Sequence, residues 1–281
     1  HKAISIIQFK LEAEIIRRRP EFKMEDRMLL HHIDFEKKTI TIDGTEYPLR
    51  DSLFPTIDPA DPYKLTEEEQ DIVLKLHNSF TGSEKLRKHM KCLFRYGCMY
   101  NVCNSNLLFH ASMPLNEDGT LKEIDILGKK YKGESLLKRV GQLIRTAYFA
   151  ENDNEEKSFA LDYAWYLWCG KDSPAFDKSK MATFERYFIA APETHKEIKG
   201  YYYTLRDRED VCDMIMDEFG VEGEHCHIIN GHVPVKAVKG EKPIKANGKL
   251  MVIDGGFSKA YQPETGIAGY TLVYHSRGFQ L

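Results

Sequence analysis

Short segments of strand length alternate with helical patterns along this chain, and that alternation restricts its fold more than any other feature. The segments 107–109, 226–229 and 249–253 are too short for helices and are built largely from Leu, Ile, Phe, Met and Val. A sheet buries such strands by packing helices against its faces. The sequence therefore predicts an α/β or α+β layered sandwich. Helical patterns between the strands lie near 133–150, 157–168 and 206–219.

The region 1–97 combines helical patterns with one hairpin. An apolar stripe at helical spacing predicts a first helix that ends at Pro20, and Asp43-Gly44 between alternating residues predicts a β-hairpin. We expect 1–97 to form one region and 98–281 a second, which carries a helical insertion at about 133–219. The stripe consists of Ile4, Ile7, Leu11 and Ile15, and the expected capping boxes are Thr66 to Glu69 and Thr81 to Glu84.

Composition excludes several classes of function. The chain has 281 residues, of which 42% are hydrophobic and 30% charged, as in globular proteins. No apolar run approaches the ~18–20 residues that span a membrane, so we expect no membrane association. The formal net charge of -3 argues against nucleic acid as the main partner, because phosphate neutralisation needs a basic surplus.

The cysteines indicate a reducing compartment. Six cysteines contain no C-x-x-C pair, so we expect reduced, buried thiols and a cytoplasmic protein. A zinc cluster at 225–227 is the alternative for Cys226. Strand alternation would place His225 and His227 on one face, away from Cys226, so we expect them to pack. The six are Cys92, Cys98, Cys103, Cys169, Cys212 and Cys226.

Two histidines follow apolar strands and precede turns fixed by proline. His110 follows 107–109, and His232 follows Ile228-Ile229-Asn230-Gly231. Layered α/β folds carry their chemistry at the carboxyl ends of strands, and imidazole is a common ligand of catalytic metals. Either histidine alone fits structural packing better than metal ligation. Their shared context favours a metal site.

Longer motifs resemble known proteins. Residues 230–235 followed by 249–256, together with the segment ending in His110, resemble the last motifs of the calcineurin-like metallophosphoesterases. Within that superfamily, the chain resembles the class III fructose-1,6-bisphosphatases of Firmicutes and relatives almost end to end. The stretches that carry this resemblance are 8–12, 54–59 with 61–66, 168–174, 180–188 and 254–262.

The resemblance implies an activity and a set of ligands. The expected fold is the calcineurin-like sandwich with helical insertions, and the expected reaction is hydrolysis of the 1-phosphate of fructose 1,6-bisphosphate, a gluconeogenic step. His110 and His232 would bind metal, usually Mn²⁺ in this family. Asp254 would orient one histidine from outside the metal shell, or would act only as a turn former before Gly255-Gly256. Ala111-Ser112 replaces the Gly-Gly of protein phosphatases, which favours a small-molecule substrate.

The superfamily motifs that supply the remaining ligands are missing. The sequence contains no Gly-Asp-x-His-Gly, Gly-Asp-x-x-Asp-Arg-Gly or Gly-Asn-His motif, and it begins at His1 without a Met. We therefore expect the chain to be the C-terminal part of the enzyme. The N-terminal half of the fold, with most metal ligands, would be a missing partner segment, and this part alone would be inactive.

A bisphosphate also needs cations away from the metals. Candidates lie in the motif-rich middle and in a lysine-rich loop, although a solvated loop face is the more common explanation for such a loop. The alternatives in function are a dinucleotide polyphosphate or phosphoprotein hydrolase, or a non-catalytic C-terminal module; a homo-oligomer stays open. The candidate substrate cations are Lys171, Arg186, Lys236 and Lys239.

Overall fold

The computed structural model describes residues 1–223 and 225–281 and has a mixed α/β architecture. Over these residues the helices are α1 (Lys2–Arg18), α2 (Glu67–Gly82), α3 (Glu84–Tyr96), α4 (Gly133–Phe149), α5 (Glu155–Cys169), α6 (Thr183–Phe188), α7 (Tyr201–Leu205), α8 (Glu209–Glu218) and α9 (Gln262–Thr265). The strands are β1 (Ile33–Asp34), β2 (Thr39–Ile42), β3 (Thr45–Pro48), β4 (Tyr100–Cys103), β5 (Asn106–Phe109), β6 (Ile124–Ile126), β7 (Lys129–Tyr131), β8 (His227–Asn230), β9 (Ile244–Lys245), β10 (Leu250–Val252), β11 (Val273–His275) and β12 (Gly278–Gln280).

The chain forms two compact units. The first unit comprises His1–Tyr96 and Ser179–Ile198, and the second comprises Gly97–Lys178 and Lys199–Leu281. Ser179–Ile198 belongs to the first unit, although the sequence analysis placed it inside the helical insertion of the second region.

Helix α1 buries a face that only partly overlaps the one that the sequence predicts. Ile7 is buried as predicted, together with Ile6, Ala13 and Ile16, whereas Leu11 and Ile15 are half-buried and Ile4 is exposed. Isoleucines at 4, 6, 7, 15 and 16 give this helix two overlapping apolar faces, so spacing alone does not choose between them. The face that packs with α6 is the buried one.

The buried face of α1 also carries a lysine. Lys10 is fully buried, and its Nζ donates to Glu69 Oε2 at 2.7 Å and to the Thr56 carbonyl at 2.6 Å. Burial by itself would raise the pKa of Glu69. Hydrogen bonds from Lys10, Thr56 and Thr66, with the Lys10 charge, hold that pKa below its usual value. The first unit therefore contains a buried ion pair that is supported by further hydrogen bonds.

The hairpin prediction is confirmed. β2 and β3 pair antiparallel with Ile42 opposite Thr45, and both loop residues have positive φ, 49° at Asp43 and 78° at Gly44. Two left-handed residues are the signature of a type I′ turn, whose twist matches that of the strands.

One of the two capping boxes is confirmed. Glu69 N–H donates to Thr66 Oγ1 at 3.2 Å, and Thr66 N–H donates to Glu69 Oε2 at 3.0 Å. The second box is wrong, because Thr81 lies inside α2 and its hydroxyl donates to the His77 carbonyl. Ser83, which separates α2 from α3, accepts from Leu86 N–H instead.

Helices α2 and α3 expose apolar side chains within the first unit. Phe80 and Leu93 are 63% and 57% exposed, and α3 has no buried residue.

The expectation that all cysteines are buried is wrong. Apolar neighbours in the sequence predicted burial, but several of these apolar segments lie at the surface of this chain. All six thiols are free; Cys169 and Cys212 are buried, Cys226 is half-buried, and Cys92, Cys98 and Cys103 are exposed.

The second unit is built on a five-stranded sheet with the order β4-β5-β8-β10-β9. β5, β8 and β10 are parallel to one another, and the outer strands β4 and β9 are antiparallel to their neighbours. The core on this sheet includes Leu107, Ile228 and Leu250 from the strands and Ile215 from α8, each without exposed surface. The carboxyl ends of the three parallel strands consequently meet at one edge of the sheet.

No helix in the described ranges, which leave out only residue 224, is long and apolar enough to cross a membrane.

Candidate active site

His110 and His232 come together where β5 and β8 end. The parallel register pairs Leu107 with Ile228, so the two chain segments leave the sheet side by side. Gly231 N–H then donates to the His110 carbonyl at 3.0 Å. His232 Nδ1 lies 3.2 Å from His110 Nε2, and the ring centroids are 5.0 Å apart. Two histidines 122 positions apart in sequence therefore face each other at the sheet edge where α/β folds place their ligands.

A buried asparagine fixes this edge. Asn230 donates through Nδ2 to the Ala111 carbonyl at 3.1 Å and interacts with the Tyr202 hydroxyl at 2.7 Å. Asn230 therefore ties the chain before His232 to the chain after His110. A polar residue after Ile228-Ile229 is the sequence signal that could have found it, because buried amides need partners.

The backbone of His232 is strained. Its φ is 65°, and Val233 N–H donates to the Gly231 carbonyl at 2.8 Å, which closes a three-residue turn around His232. A non-glycine residue at the centre of such a turn is rare, and strain of this kind concentrates at functional sites. The turn directs the His232 ring toward His110.

The surroundings of His232 keep its imidazole neutral. Burial lowers its pKa to about 4, and the neighbouring His110, Lys178 and Lys199 contribute in the same direction, while Asp254 opposes them. A neutral imidazole is the form that binds a metal.

The histidine pair fits part of a metal site. Nitrogen ligands held at about 2.1 Å around a tetrahedral or octahedral ion are about 3.0–3.4 Å apart, and the observed separation is 3.2 Å. His232 Nε2 is buried without a hydrogen-bond partner within the described part of the chain. No group of three or more His, Cys, Asp or Glu that could hold a metal occurs in 1–223 or 225–281. The pair could therefore supply two nitrogens of a larger ligand set.

Asp254 lies close to this pair, two positions beyond the end of β10. Its Oδ1 accepts from Gly256 N–H at 2.9 Å, as expected of a turn former, and its charge acts on His232. Its orienting role stays a prediction.

The glycine after Asp254 is required by packing. A Cβ at Gly255 would lie 2.6 Å from Gly269 Cα.

Ser112, two residues after His110, forms a buried pair with Asp177. The Ser112 hydroxyl donates to Asp177 Oδ2, and both residues are at least 95% buried. Burial and the nearby Asp172 raise the pKa of Asp177 to about 6, although Ser112 and Lys122 oppose the shift. The sequence analysis missed Asp177, since nothing in Phe176-Asp177-Lys178 indicates burial.

Asp177→Asn is expected to remove a pH dependence of stability. A carboxyl with a folded pKa of about 6, above its unfolded value, binds more protons when folded. The free energy of unfolding then falls as pH rises from about 4 to about 6, by on the order of 2–3 kcal/mol. Urea unfolding across pH 4–8 should show the Asn variant more stable than the parent at pH 7–8 and similar at pH 4. The exposed Asp217→Asn is the control; an unchanged profile in Asp177→Asn would contradict the assignment.

Comparison with known proteins identifies the family. The profile described as Firmicute fructose-1,6-bisphosphatase matches residues 1–281. The chain belongs to this family. The resemblance found in the sequence motifs is therefore confirmed.

Relatives in the Firmicute fructose-1,6-bisphosphatase family share the whole length of the chain. Proteins named fructose-1,6-bisphosphatase class 3 from Phocaeicola vulgatus and Bacteroides fragilis are 74% and 70% identical, each over 100% of the chain and 42% of the relative. The one from Clostridium botulinum is 59% identical over 43% of its length. The chain thus spans less than half the length of these relatives. No solved structure gives a significant match.

The cations predicted from the family motifs have different environments. Lys171 and Lys239 are exposed. Lys236 is half-buried, and its backbone N–H donates to Glu241 Oε2 at 3.0 Å. Arg186 belongs to the first unit, where it pairs with Glu197 at 3.1 Å. Their roles in substrate binding stay predictions. Lys178 and Lys199, which the sequence did not single out, are two further cations whose charges act on His232.

The segment 225–227 is partly as predicted. His227 begins β8, interacts through Nδ1 with the Gly248 carbonyl at 2.9 Å and packs edge-on against Phe279. The prediction that His225 packs with it is wrong, because β8 begins only at His227 and His225 lies exposed in a turn before the strand.

Proposed function

We propose that the complete protein carrying this chain hydrolyses the 1-phosphate of fructose 1,6-bisphosphate. The observation that carries the proposal is the 3.2 Å approach of His110 and His232 at the carboxyl edge of a parallel sheet. Family membership supports it, because the relatives are named fructose-1,6-bisphosphatase class 3.

The proposed fold is the layered sandwich of the calcineurin-like metallophosphoesterases. β5, β8 and β10 would form one side of its active edge, and residues outside this chain would supply the other ligands. The coverage of 42% of the relatives is consistent with such a missing part. The exposed apolar residues of α2 and α3 would be covered by it.

His110 and His232 would hold a divalent metal, for which we propose Mn²⁺ because it accepts mixed nitrogen and oxygen ligands. When bound, such a metal supplies an activated water and neutralises charge on the phosphoryl oxygens. The chain itself keeps the His232 ring neutral by burial, and the turn around that residue fixes its direction. Asn230 and the Ser112–Asp177 pair position the two histidine segments.

A second candidate is a non-catalytic module that packs on the metal-binding part of the protein. It is favoured because residues 1–223 and 225–281 contain no group of three or more His, Cys, Asp or Glu that could hold a metal ion. Under this alternative, the histidine pair would be a structural contact.

A substrate panel tests the proposed function. Phosphate release by the complete protein with added Mn²⁺ should be fastest for fructose 1,6-bisphosphate, with fructose 6-phosphate as the product, and a chelator should abolish it. A diadenosine polyphosphate and a phosphoserine peptide serve as competing substrates. Faster hydrolysis of either one, or none of the sugar bisphosphate, would contradict the proposal.

A further inference from the structure

A pair of lysines lies where the chain leaves and re-enters the second unit. Lys178 and Lys199 are partners in an antiparallel bridge, flanked by hydrogen bonds from Gly200 N–H to the Asp177 carbonyl at 2.8 Å and from Ser179 N–H to the Ile198 carbonyl at 2.7 Å. Side chains at directly opposed positions lie on the same face, where two like charges are destabilising. The backbone thus holds two lysines side by side on one face.

A buried arginine lies next to this pair. Arg206 is 4% exposed, and its Nη1 has no hydrogen-bond partner in the described part of the chain. Its nearest carboxylate contact, from Nη2 to Glu241 Oε1, is 3.9 Å and exceeds a hydrogen bond. A guanidinium has five donors, and leaving even the Nη1 donors unpaired in the interior is costly. Arg206 Nη1 therefore has donors left to bind an oxyanion.

The ring of Tyr203 links the arginine to Lys199. Arg206 Cζ lies 5.6 Å and Lys199 Nζ 5.7 Å from its centroid. The Tyr203 hydroxyl is buried and, like Arg206 Nη1, unpaired among the residues described. This unpaired hydroxyl, on the ring that both cations contact, is a further donor in the same region.

Most of the charges that act on Lys199 are positive. Partial burial lowers the pKa of Lys199, as do the charges of Arg206, Lys178 and Lys236, and Glu241 opposes them. Glu241 is already shared with Lys245, whose Nζ lies 3.1 Å away. Asp177, which directly precedes Lys178, accepts a hydrogen bond from Ser112, two residues after His110, so the lysine pair adjoins the chain segment of the histidine site.

We propose that the second unit contains a binding site for the phosphate of the sugar bisphosphate that is not hydrolysed. The ligand is a phosphomonoester dianion, which suits several cations and Arg donors in particular. This assignment rests on the proposed function, since only a bisphosphate needs a cationic site besides the metals. The members of this cationic cluster are Lys178, Lys199, Arg206 and Lys236.

Binding of fructose 6-phosphate to the chelator-treated complete protein tests the cluster without catalysis. Titration calorimetry should show the affinity reduced about 10-fold or more in Lys178→Met and in Lys199→Met, since each removes one charge-assisted contact. Arg206→Lys should also weaken binding, because a lysine cannot reproduce the arginine fork. Lys130→Met is the control, at an exposed lysine paired with Glu123. Equal affinity in all variants would overturn the proposal.

Kinetics in the presence of metal separate this site from an effector site. The lysine variants should raise KM for fructose 1,6-bisphosphate about 10-fold or more and change kcat/KM for fructose 1-phosphate less than about 2-fold. An unchanged KM for the bisphosphate, or equal losses on both substrates, would overturn the assignment. If the parent protein does not hydrolyse the bisphosphate, the proposed function fails, and the binding measurement still decides whether the cluster binds a sugar phosphate.

Discussion

Replacing His232 by Ala is expected to lower kcat/KM for fructose 1,6-bisphosphate at least about 100-fold in the complete protein. Loss of a residue that merely supports a metal ligand costs about 10–100-fold, so loss of a ligand should cost at least as much. His110→Ala should have an effect of similar size, because the two rings face each other at 3.2 Å. Phosphate release at saturating Mn²⁺ measures both.

The matched control for this prediction is His225→Ala. His225 is exposed and lies in the turn just before β8, so its replacement should leave kcat/KM within about 2-fold. The double variant His110→Ala/His232→Ala should be little worse than either single variant, since residues that act as one unit are not additive. Full activity in His232→Ala would exclude a role for this edge in the reaction.

Replacing Glu69 by Gln is expected to lower the free energy of unfolding by about 3–5 kcal/mol, because it leaves the Lys10 ammonium buried without a counter-charge. Lys10 has no exposed surface and bonds Glu69 at 2.7 Å. Denaturant unfolding of the parent and the variant measures the difference.

A double-mutant cycle separates the ion pair from simple packing. Lys10→Met combined with Glu69→Met removes both charges and should cost less than Glu69→Gln alone, since a buried pair can be replaced by apolar groups at little cost. The exposed Glu68→Gln, one position earlier in α2, should change stability by less than about 0.5 kcal/mol. Additive losses in the cycle would contradict the account of this pair.

The sequence predicts local structure well where a single residue pair determines it. Asp43-Gly44 specifies a hairpin because both positions need positive φ, and Thr66 with Glu69 specifies a helix start because each satisfies an amide of the other. Thr81 fails because its hydroxyl bonds a carbonyl one turn earlier. Such competition depends on where the preceding helix ends, which spacing does not show.

The sequence predicts the site residues that directly follow strands. It does not predict those that meet only because the chain leaves the second unit and re-enters it. His110 and His232 follow apolar segments, and parallel pairing necessarily brings their ends together. Lys178 and Lys199 meet only because the segment between them leaves the second unit and comes back. Arg206 and Asp177 are buried, which their charge does not lead one to expect.

Manganese content tests the central claim most directly. The complete protein, saturated with Mn²⁺ and freed of excess ion by gel filtration, should retain about two ions per chain by elemental mass spectrometry, as expected for a two-metal phosphatase. His110→Ala/His232→Ala should retain at most about half of that amount, and His225→Ala should equal the parent. Undiminished manganese in the double variant would contradict the assignment of this histidine pair as metal ligands.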